Sequence, residues 1–310
     1  MKNTLIISLL LIGNLLYSQS ISKSSIDSGG GTSSNGGVQI MYTIGEVNVQ
    51  ELSAGNIQAS EGFINPEIQL AIKLNPTVFL QGASINPSVT GLMNDNLRVS
   101  GLIPTTSPFV DVLTCSVLVF NTTGNNAIID WVYVELRDEN DNTVVLDSQS
   151  ALLQRDGDVV NVDGVSVLSF DQQLGNYFVS IAHRNHLGII TANMIPLSSS
   201  VTNLLLTTNT ALIQGGSNAV ADLGNGTFAL YAGDYDNNGQ IQNADLTQVT
   251  TLIGSSGYLD ADADMNSQVQ NADANNIISP NIGNGEQNRT ASNQPLIIAP
   301  LSENYKQKQH

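Results

Sequence analysis

Cysteine, aromatic rings and charge are all scarce in this 310-residue sequence. Cys115 is the single cysteine, so the chain forms no internal disulfide and any bracing comes from packing or bound ions. Aromatic residues make up 5%, and nothing marks Tyr133, Tyr177, Phe178, Tyr231, Tyr235 or Tyr258 as a platform for stacking sugar rings. Charged residues are only 12%, and their balance is one-sided: 10 Lys and Arg against 27 Asp and Glu, a net charge of −17. That balance excludes nucleic acid and anionic membrane surfaces as partners. No Gly-x-Ser-x-Gly elbow and no His-Glu-x-x-His helix occurs, which leaves no hydrolase signature and predicts a protein that is not an enzyme.

What polarity there is comes from Asn, Ser, Thr, Gln and Gly, a mixture that disfavours a helical fold and suits an exported β-protein. Residues 1–20 read as a secretion leader: Lys2 gives the positive start, 5–16 the apolar stretch and 17–20 a small-residue cleavage region. The apolar run is short and Asn14 interrupts it, and no later segment reaches ~18 continuous apolar residues. The predicted mature chain therefore has no membrane span and is secreted or held at the cell surface.

Residues 21–72 are expected to form a small N-terminal β module, with strands at 38–44 and 46–49 and a mobile Gly- and Ser-rich turn at 29–37. Its motifs, Ser25-Ile-Asp-Ser-Gly-Gly-Gly-Thr, Tyr42-Thr-Ile-Gly-Glu46 and Ser60-Glu-Gly-Phe63, resemble a lead module of bacterial type IX secretion cargo. Residues 73–231 read as a β-sandwich, with strands at 78–81, 97–103, 115–120, 128–136, 143–154, 165–170, 177–183, 188–192, 204–207 and 228–231. Acidic and glycine turns at 138–142, 156–157 and 163–164 separate them. Cys115 with Trp131 sixteen residues on (131 − 115 = 16), and Gly175-Asn-Tyr177-Phe-Val179 further along, resemble the immunoglobulin-like core and its tyrosine corner. That resemblance puts Cys115, Trp131 and Val179 in one core cluster. His183 and His186 in Ala182-His183-Arg184-Asn185-His186 read either as a turn between strands or as metal ligands lacking an identifiable third.

The strongest pattern lies at 232–287, where one twelve-residue loop occurs twice, 28 residues apart (262 − 234 = 28). Its copies are Asp234-Tyr-Asp236-Asn-Asn238-Gly239-Gln240-Ile241-Gln-Asn-Ala-Asp245 and Asp262-Ala-Asp264-Met-Asn266-Ser267-Gln268-Val269-Gln-Asn-Ala-Asp273. Short oxygen side chains at places one, three, five and twelve, with a backbone carbonyl at place seven, form the donor set of a calcium loop of the EF-hand kind. The predicted ligands are Asp234, Asp236, Asn238, Gln240 and Asp245 for one Ca2+, and Asp262, Asp264, Asn266, Gln268 and Asp273 for a second. Gln240 and Gln268 serve through their carbonyls. Gly239 suits the left-handed sixth place, whereas Ser267 is expected to be strained there. Ile241 and Val269 are expected to join the loops by a short β-bridge. Leu246, Val249, Leu252 and Ile253 then share one helical face up to Gly254, as do Ala274, Ile277 and Ile278 up to Ser279-Pro280.

This duplicated loop-and-helix resembles a type I dockerin. The resemblance implies that Asn243, Ala244, Asn271 and Ala272 contribute to partner choice, with a cohesin-like protein, another surface protein or a glycan as partner. The predicted architecture is mainly β: an N-terminal β module, an immunoglobulin-like sandwich, a dockerin-like pair of calcium loops with short helices, and a polar tail at 288–310. Such a combination resembles bacterial surface adhesins and haemagglutinin-like proteins. The expected role is that of a calcium-binding protein acting in binding, adhesion or assembly. The alternative is a polysaccharide-degrading enzyme or accessory subunit docked through the repeat, which would need a carboxylate pair in a cleft.

Overall fold

The computed structural model describes the strands at 30–35, 38–43, 50–54 and 57–61, and residues 71–224 and 226–287. It divides into two units, Met1–Ile68 and Gln69–His310. In the first unit β1 (Gly30–Asn35) pairs antiparallel with β2 (Val38–Thr43), and β3 (Gln50–Ala54) with β4 (Ile57–Glu61). The expected mobile turn at 29–37 is thus largely a strand, because a hairpin ladder uses main-chain N–H and C=O groups that Gly and Ser carry like any other residue. The strand expected at 46–49, the leader at 1–20 and the tail at 288–310 lie outside the described residues.

The second unit is mainly β, with several sheets and few helices. Its sequence of strands is β5 (Ile72–Thr77), β6 (Ile128–Arg137), β7 (Val145–Gln154), β8 (Val159–Val160), β9 (Leu168–Phe170), β10 (Gly175–Ala182), β11 (Ile189–Ile190), β12 (Ile195–Leu197), β13 (Val201–Leu205), β14 (Ala221–Gly224) and β15 (Thr227–Ala229). The larger sheet runs β11-β10-β6-β7-β8, with β12 added to β10; a second runs β13-β5-β9, and β14 with β15 makes a ribbon. Strand β6 sits at the centre of the larger sheet and is buried along its whole length. It accordingly reads as a nearly continuous apolar run rather than an alternation. One apolar cluster joins both sheets, with Ile72, Leu74, Leu168, Phe170 and Leu204 packed together with Trp131, Val134, Val179 and Ile181.

Several of the polar groups drawn into this core are matched, whereas Thr77 Oγ1 and Ser180 Oγ are buried without a hydrogen-bond partner among the described residues. Arg137 on β6 donates from Nε and Nη2 to Glu135 Oε2, at 3.0 and 2.5 Å. Trp131 Nε1 donates to the Pro104 carbonyl at 2.9 Å. Tyr177 is buried and its hydroxyl donates to the Gln173 carbonyl at 2.5 Å, the backward hydrogen bond that defines a tyrosine corner.

Three expected strands are replaced. Residues 97–103 begin with a helical turn, α1 (Asn96–Val99), in which Arg98 pairs with Asp95 one turn earlier at 2.5 Å; Gly101 at φ 66° ends it. Residues 115–120 are a loop entering a 3-10 turn (Val117–Asn121), whose start is capped by Ser116 Oγ accepting from the Leu118 amide. Val117 and Leu118 are exposed there, so this stretch is not an apolar core strand. Cys115 still packs half-buried against the core that holds Trp131 and Val179, and burial raises its thiol pKa. The strand expected at 78–81 lies earlier, at β5, and Gln81 instead leads into a 3-10 turn (Gly82–Ser84).

The Tyr177 hydrogen bond yields a direct test. Tyr177→Phe removes one hydrogen bond without altering the packed ring, and its unfolding midpoint in denaturant should fall by an amount equivalent to about 1 kcal/mol.

Candidate metal centre

Both twelve-residue loops fold as the same hydrogen-bonded frame. In the first, Asp234 accepts from the amides of Asn238 and Gly239, both at 3.0 Å, and Asn238 Oδ1 accepts from the Gln240 amide at 3.0 Å. Asp245 closes the turn by accepting from the Tyr235 and Gln242 amides at 3.0 and 2.7 Å. The second loop repeats this set, except that the third-place amide rather than the second-place one makes the 3.0 Å hydrogen bond to its last aspartate. Asp262 accepts from Asn266 and Ser267 at 3.0 and 2.7 Å, Asn266 Oδ1 from Gln268 at 2.9 Å, and Asp273 from Asp264 and Gln270 at 3.0 and 2.7 Å.

The frame turns carboxylates inward. Ligand atoms of Asp234, Asp236 and Asp245 all lie within 4.8 Å of one another, as do those of Asp262, Asp264 and Asp273. Asp234, Asp245, Asp262 and Asp273 are buried, while Asp264 is half-buried and Asp236 exposed. Each cluster therefore opens to solvent at its third-place aspartate. Burying like charges this close is unfavourable unless a proton or a cation intervenes. The titration behaviour agrees: burial and the nearby Glu286 push Asp234 well above the usual carboxylate range. Burial raises Asp262 to about 8, against the opposing pull of Arg184 and with the help of Asp264 and Asp273. Converging carboxylate oxygens, without sulfur or imidazole, fit a hard divalent cation.

Left-handed backbone falls at the same places in both loops: Asn237 and Met265 at place four (φ 55° and 58°), Gly239 and Ser267 at place six (φ 84° and 79°). The strain expected of Ser267 is present. The helices follow, α2 (Asn243–Thr251) and a second that begins at 271, passes through a π-helical stretch (Asp273–Ile278) and continues as α3 (Ser279–Asn281). The second helix thus runs past Ser279-Pro280 to Asn281; the proline follows a π-helical stretch, so its ring does not meet the carbonyl of a regular α turn. Ile241, Val249, Val269, Ala274, Ile277 and Ile278 are buried in a shared cluster, whereas Ile253 is exposed rather than on the buried face.

The bridge expected between Ile241 and Val269 does not form. Gln240 bridges instead to Gly285, and Gln268 to Ser256, so each loop pairs with the segment beyond the other loop's helix. The loops repeat at 28 residues (268 − 240), but these closing segments repeat at 29 (285 − 256). The π-helical turn takes up the extra residue. Asn243, Ala244 and Asn271 are exposed and Ala272 is half-buried. Asn271 and Ala272 border a surface groove of about 560 Å³ whose other wall includes Ile253, Gly254 and Ser256.

Residues 183–186, expected as a turn or as a metal site, are buried against the loops. Arg184 Nε donates to Asp130 Oδ2 at 3.0 Å, and its guanidinium carbon lies 4.3 Å from the Tyr258 ring centre. Tyr258 donates its hydroxyl to Asp130. Burial by itself would raise Asp130, but Arg184, His183 and Tyr258 hold it down at about 2. His183 Nε2 lies 3.3 Å from Asp130 and its Nδ1 accepts from the Asn185 amide at 3.4 Å. His186 Nε2 accepts from the Gly82 amide at 3.1 Å. Both rings are engaged on both nitrogens and burial lowers both pKa values. They serve as neutral struts. No signal in their spacing foretold burial, since the groups they meet lie some 50 to 100 residues away in sequence, as |183 − 130| = 53 and |186 − 82| = 104 show.

No protein-family model matches this chain, and no curated protein matches it either. Two solved structures overlay on it, both interface mutants of a type II cohesin–X–dockerin complex from Acetivibrio cellulolyticus. The C-terminal interface mutant gives a TM-score of 0.36 at 12% identity, covering 69% of this chain and 96% of that one. The N-terminal interface mutant gives 0.32 at 13%, covering 72% and 97%. TM-scores of this size do not establish a common fold. Among the described residues, no helix is long and apolar enough to cross a membrane.

Two outcomes are expected of the loops. Ser267→Gly removes the left-handed penalty and should raise stability by about 1 kcal/mol, read as a higher melting temperature. In chelator, Asp262 has a folded pKa near 8, above its ordinary 3.8, so its contribution is complete at low pH and is lost as pH rises through 8. Above about 6.5 the neutral histidines add no opposing slope, and the melting temperature in chelator should fall between there and roughly pH 8.5.

Proposed function

We propose that residues 234–245 and 262–273 bind two calcium ions, and that the chain is an exported protein whose β-sandwich and loops serve binding or assembly outside the cell. The observation that carries this reading is the repetition of one frame: two loops of different sequence context hold inward carboxylates by nearly the same set of amide hydrogen bonds. Asp234, Asp236, Asn238, the Gln240 carbonyl and Asp245 would hold one ion. Asp262, Asp264, Asn266, the Gln268 carbonyl and Asp273 would hold the other. The ion would supply the charge neutralisation that protons otherwise provide.

The sites are unequal. Glu286 adds negative potential at Asp234, while the cationic Arg184 faces Asp262 and Ser267 strains the second loop. The first site is the tighter one. The half-buried Cys115, buried Trp131 and Val179 and the Tyr177 corner favour an immunoglobulin-like core. A dockerin-like role rests on the paired loops and on Asn243, Ala244 and Asn271 standing exposed, with a protein of cohesin kind as the favoured partner.

Calorimetric titration of the metal-free chain with calcium should show two events of unequal strength. Asp234→Asn should abolish the tighter event and Asp262→Asn the weaker. At free calcium ~100-fold above a site's Kd, its occupancy should add about 2.7 kcal/mol to stability. A chain that takes up no calcium, with a melt unmoved by chelator, overturns the reading.

A further inference from the structure

The second loop differs from the first in how the sandwich holds it. Asn185, in the turn after β10, donates both hydrogens of its side-chain amide to the loop: one to the Asp260 carbonyl and one to the Asp262 carbonyl, each at 3.0 Å. Its Oδ1 lies 2.8 Å from His186 Nδ1. His183 Nδ1, 3.1 Å from the same His186 nitrogen, already accepts from the Asn185 amide, so His186 Nδ1 is the donor and the Asn185 amide has one orientation. Asp262 is the first residue of the loop, and fixing its carbonyl fixes where its carboxylate begins.

Three further contacts act on the same stretch. Arg184 Nη1 donates to the Leu259 carbonyl at 2.6 Å. Gly82 lies so close that a Cβ there would sit 1.8 Å from the Ala263 carbonyl oxygen. Met265, the left-handed fourth residue, is buried in the same core cluster as Tyr258 and the sandwich strands. The matching residue of the first loop, Asn237, is half-buried and reaches the sandwich only through its side-chain nitrogen, which donates to the His183 carbonyl at 2.9 Å and to the Arg184 carbonyl at 3.4 Å.

We infer that the sandwich preorganises the second calcium loop, with Asn185 as its positioning residue. The inference rests on the calcium reading of the loops and goes beyond it, since no residue of the 183–186 turn is itself a ligand. It accounts for Ser267: a loop shaped from outside tolerates a left-handed serine where the first loop has glycine. The Asn185 backbone carbonyl, which accepts from the Gly233 amide at 2.9 Å next to Asp234, is kept in any side-chain variant. Of the two loops, removing the side chain therefore takes hydrogen bonds only from the second; the other bond it loses is the one to His186.

The test is calcium titration of the full chain carrying Asn185→Ala, beside hydrogen exchange of the unaltered chain in chelator. Loss of two hydrogen bonds should weaken the second site roughly tenfold or more while the first changes by less than about twofold. Without calcium, the Ser267 and Gln270 amides should exchange at least ~10-fold more slowly than their counterparts Gly239 and Gln242. Equal weakening of both sites, an unchanged second site, or equal exchange in the two loops overturns the inference. Should the variant fail to fold, exchange in the unaltered chain decides alone. A chain that binds no calcium defeats the calcium reading instead, and the exchange pattern still reports whether the second loop is shaped in advance.

Discussion

A buried ion pair, Arg184 with Asp130 at 3.0 Å, ties the sandwich to the paired loops. Asp130 comes from β6, the central strand, and Arg184 from the turn after β10. Between them and the loops stand Tyr258 and the Leu259 carbonyl, both engaged by the same guanidinium. Two charges without solvent are costly to bury, and removing either would take from the other its closest counter-charge, a loss of up to ~3–5 kcal/mol. Arg184 would still keep Asp260 at 3.3 Å, and Asp130 would keep His183 and Tyr258. Such a pair contributes geometry more than net stability. It holds Tyr258 and the stretch that enters the second loop in one orientation.

The loops add a second electrostatic constraint. Each frame gathers three carboxylates within 4.8 Å and spends its backbone amides on holding them there rather than on helix or sheet. Without a cation the buried members keep protons well above the usual carboxylate range, as Asp234 and Asp262 show. Loop shape and ion demand are therefore linked through charge. Where the sandwich grips a loop, its shape depends less on the ion.

Much of this was legible in sequence because the information is local. Alternate Asp and Asn at fixed places converge only in a tight loop, so Asp234, Asp236 and Asp245 and their counterparts come together as their spacing requires. Long apolar strands such as 128–137 and 145–154 are legible for the same reason. Short or ambiguous runs are not. Residues 115–120 are as apolar as a strand, yet Ser116 caps a 3-10 turn there and leaves Val117 and Leu118 in solvent. At 96–99 the Asp95–Arg98 pair favours a helical turn that an apolar count does not register.

The paired loops, their inward oxygens and the strained Ser267 follow from the amino-acid order, because each depends on residues close together along the chain. Tertiary structure alone decided that Ile241 and Val269 pair with the segments after the opposite helices, and that His183, Arg184, Asn185 and His186 lie buried between sandwich and loops. Those outcomes depend on meetings between residues such as Asp130 and Tyr258, or Gly82 and Ala263. Packing brings such residues together, and no local periodicity encodes where they meet.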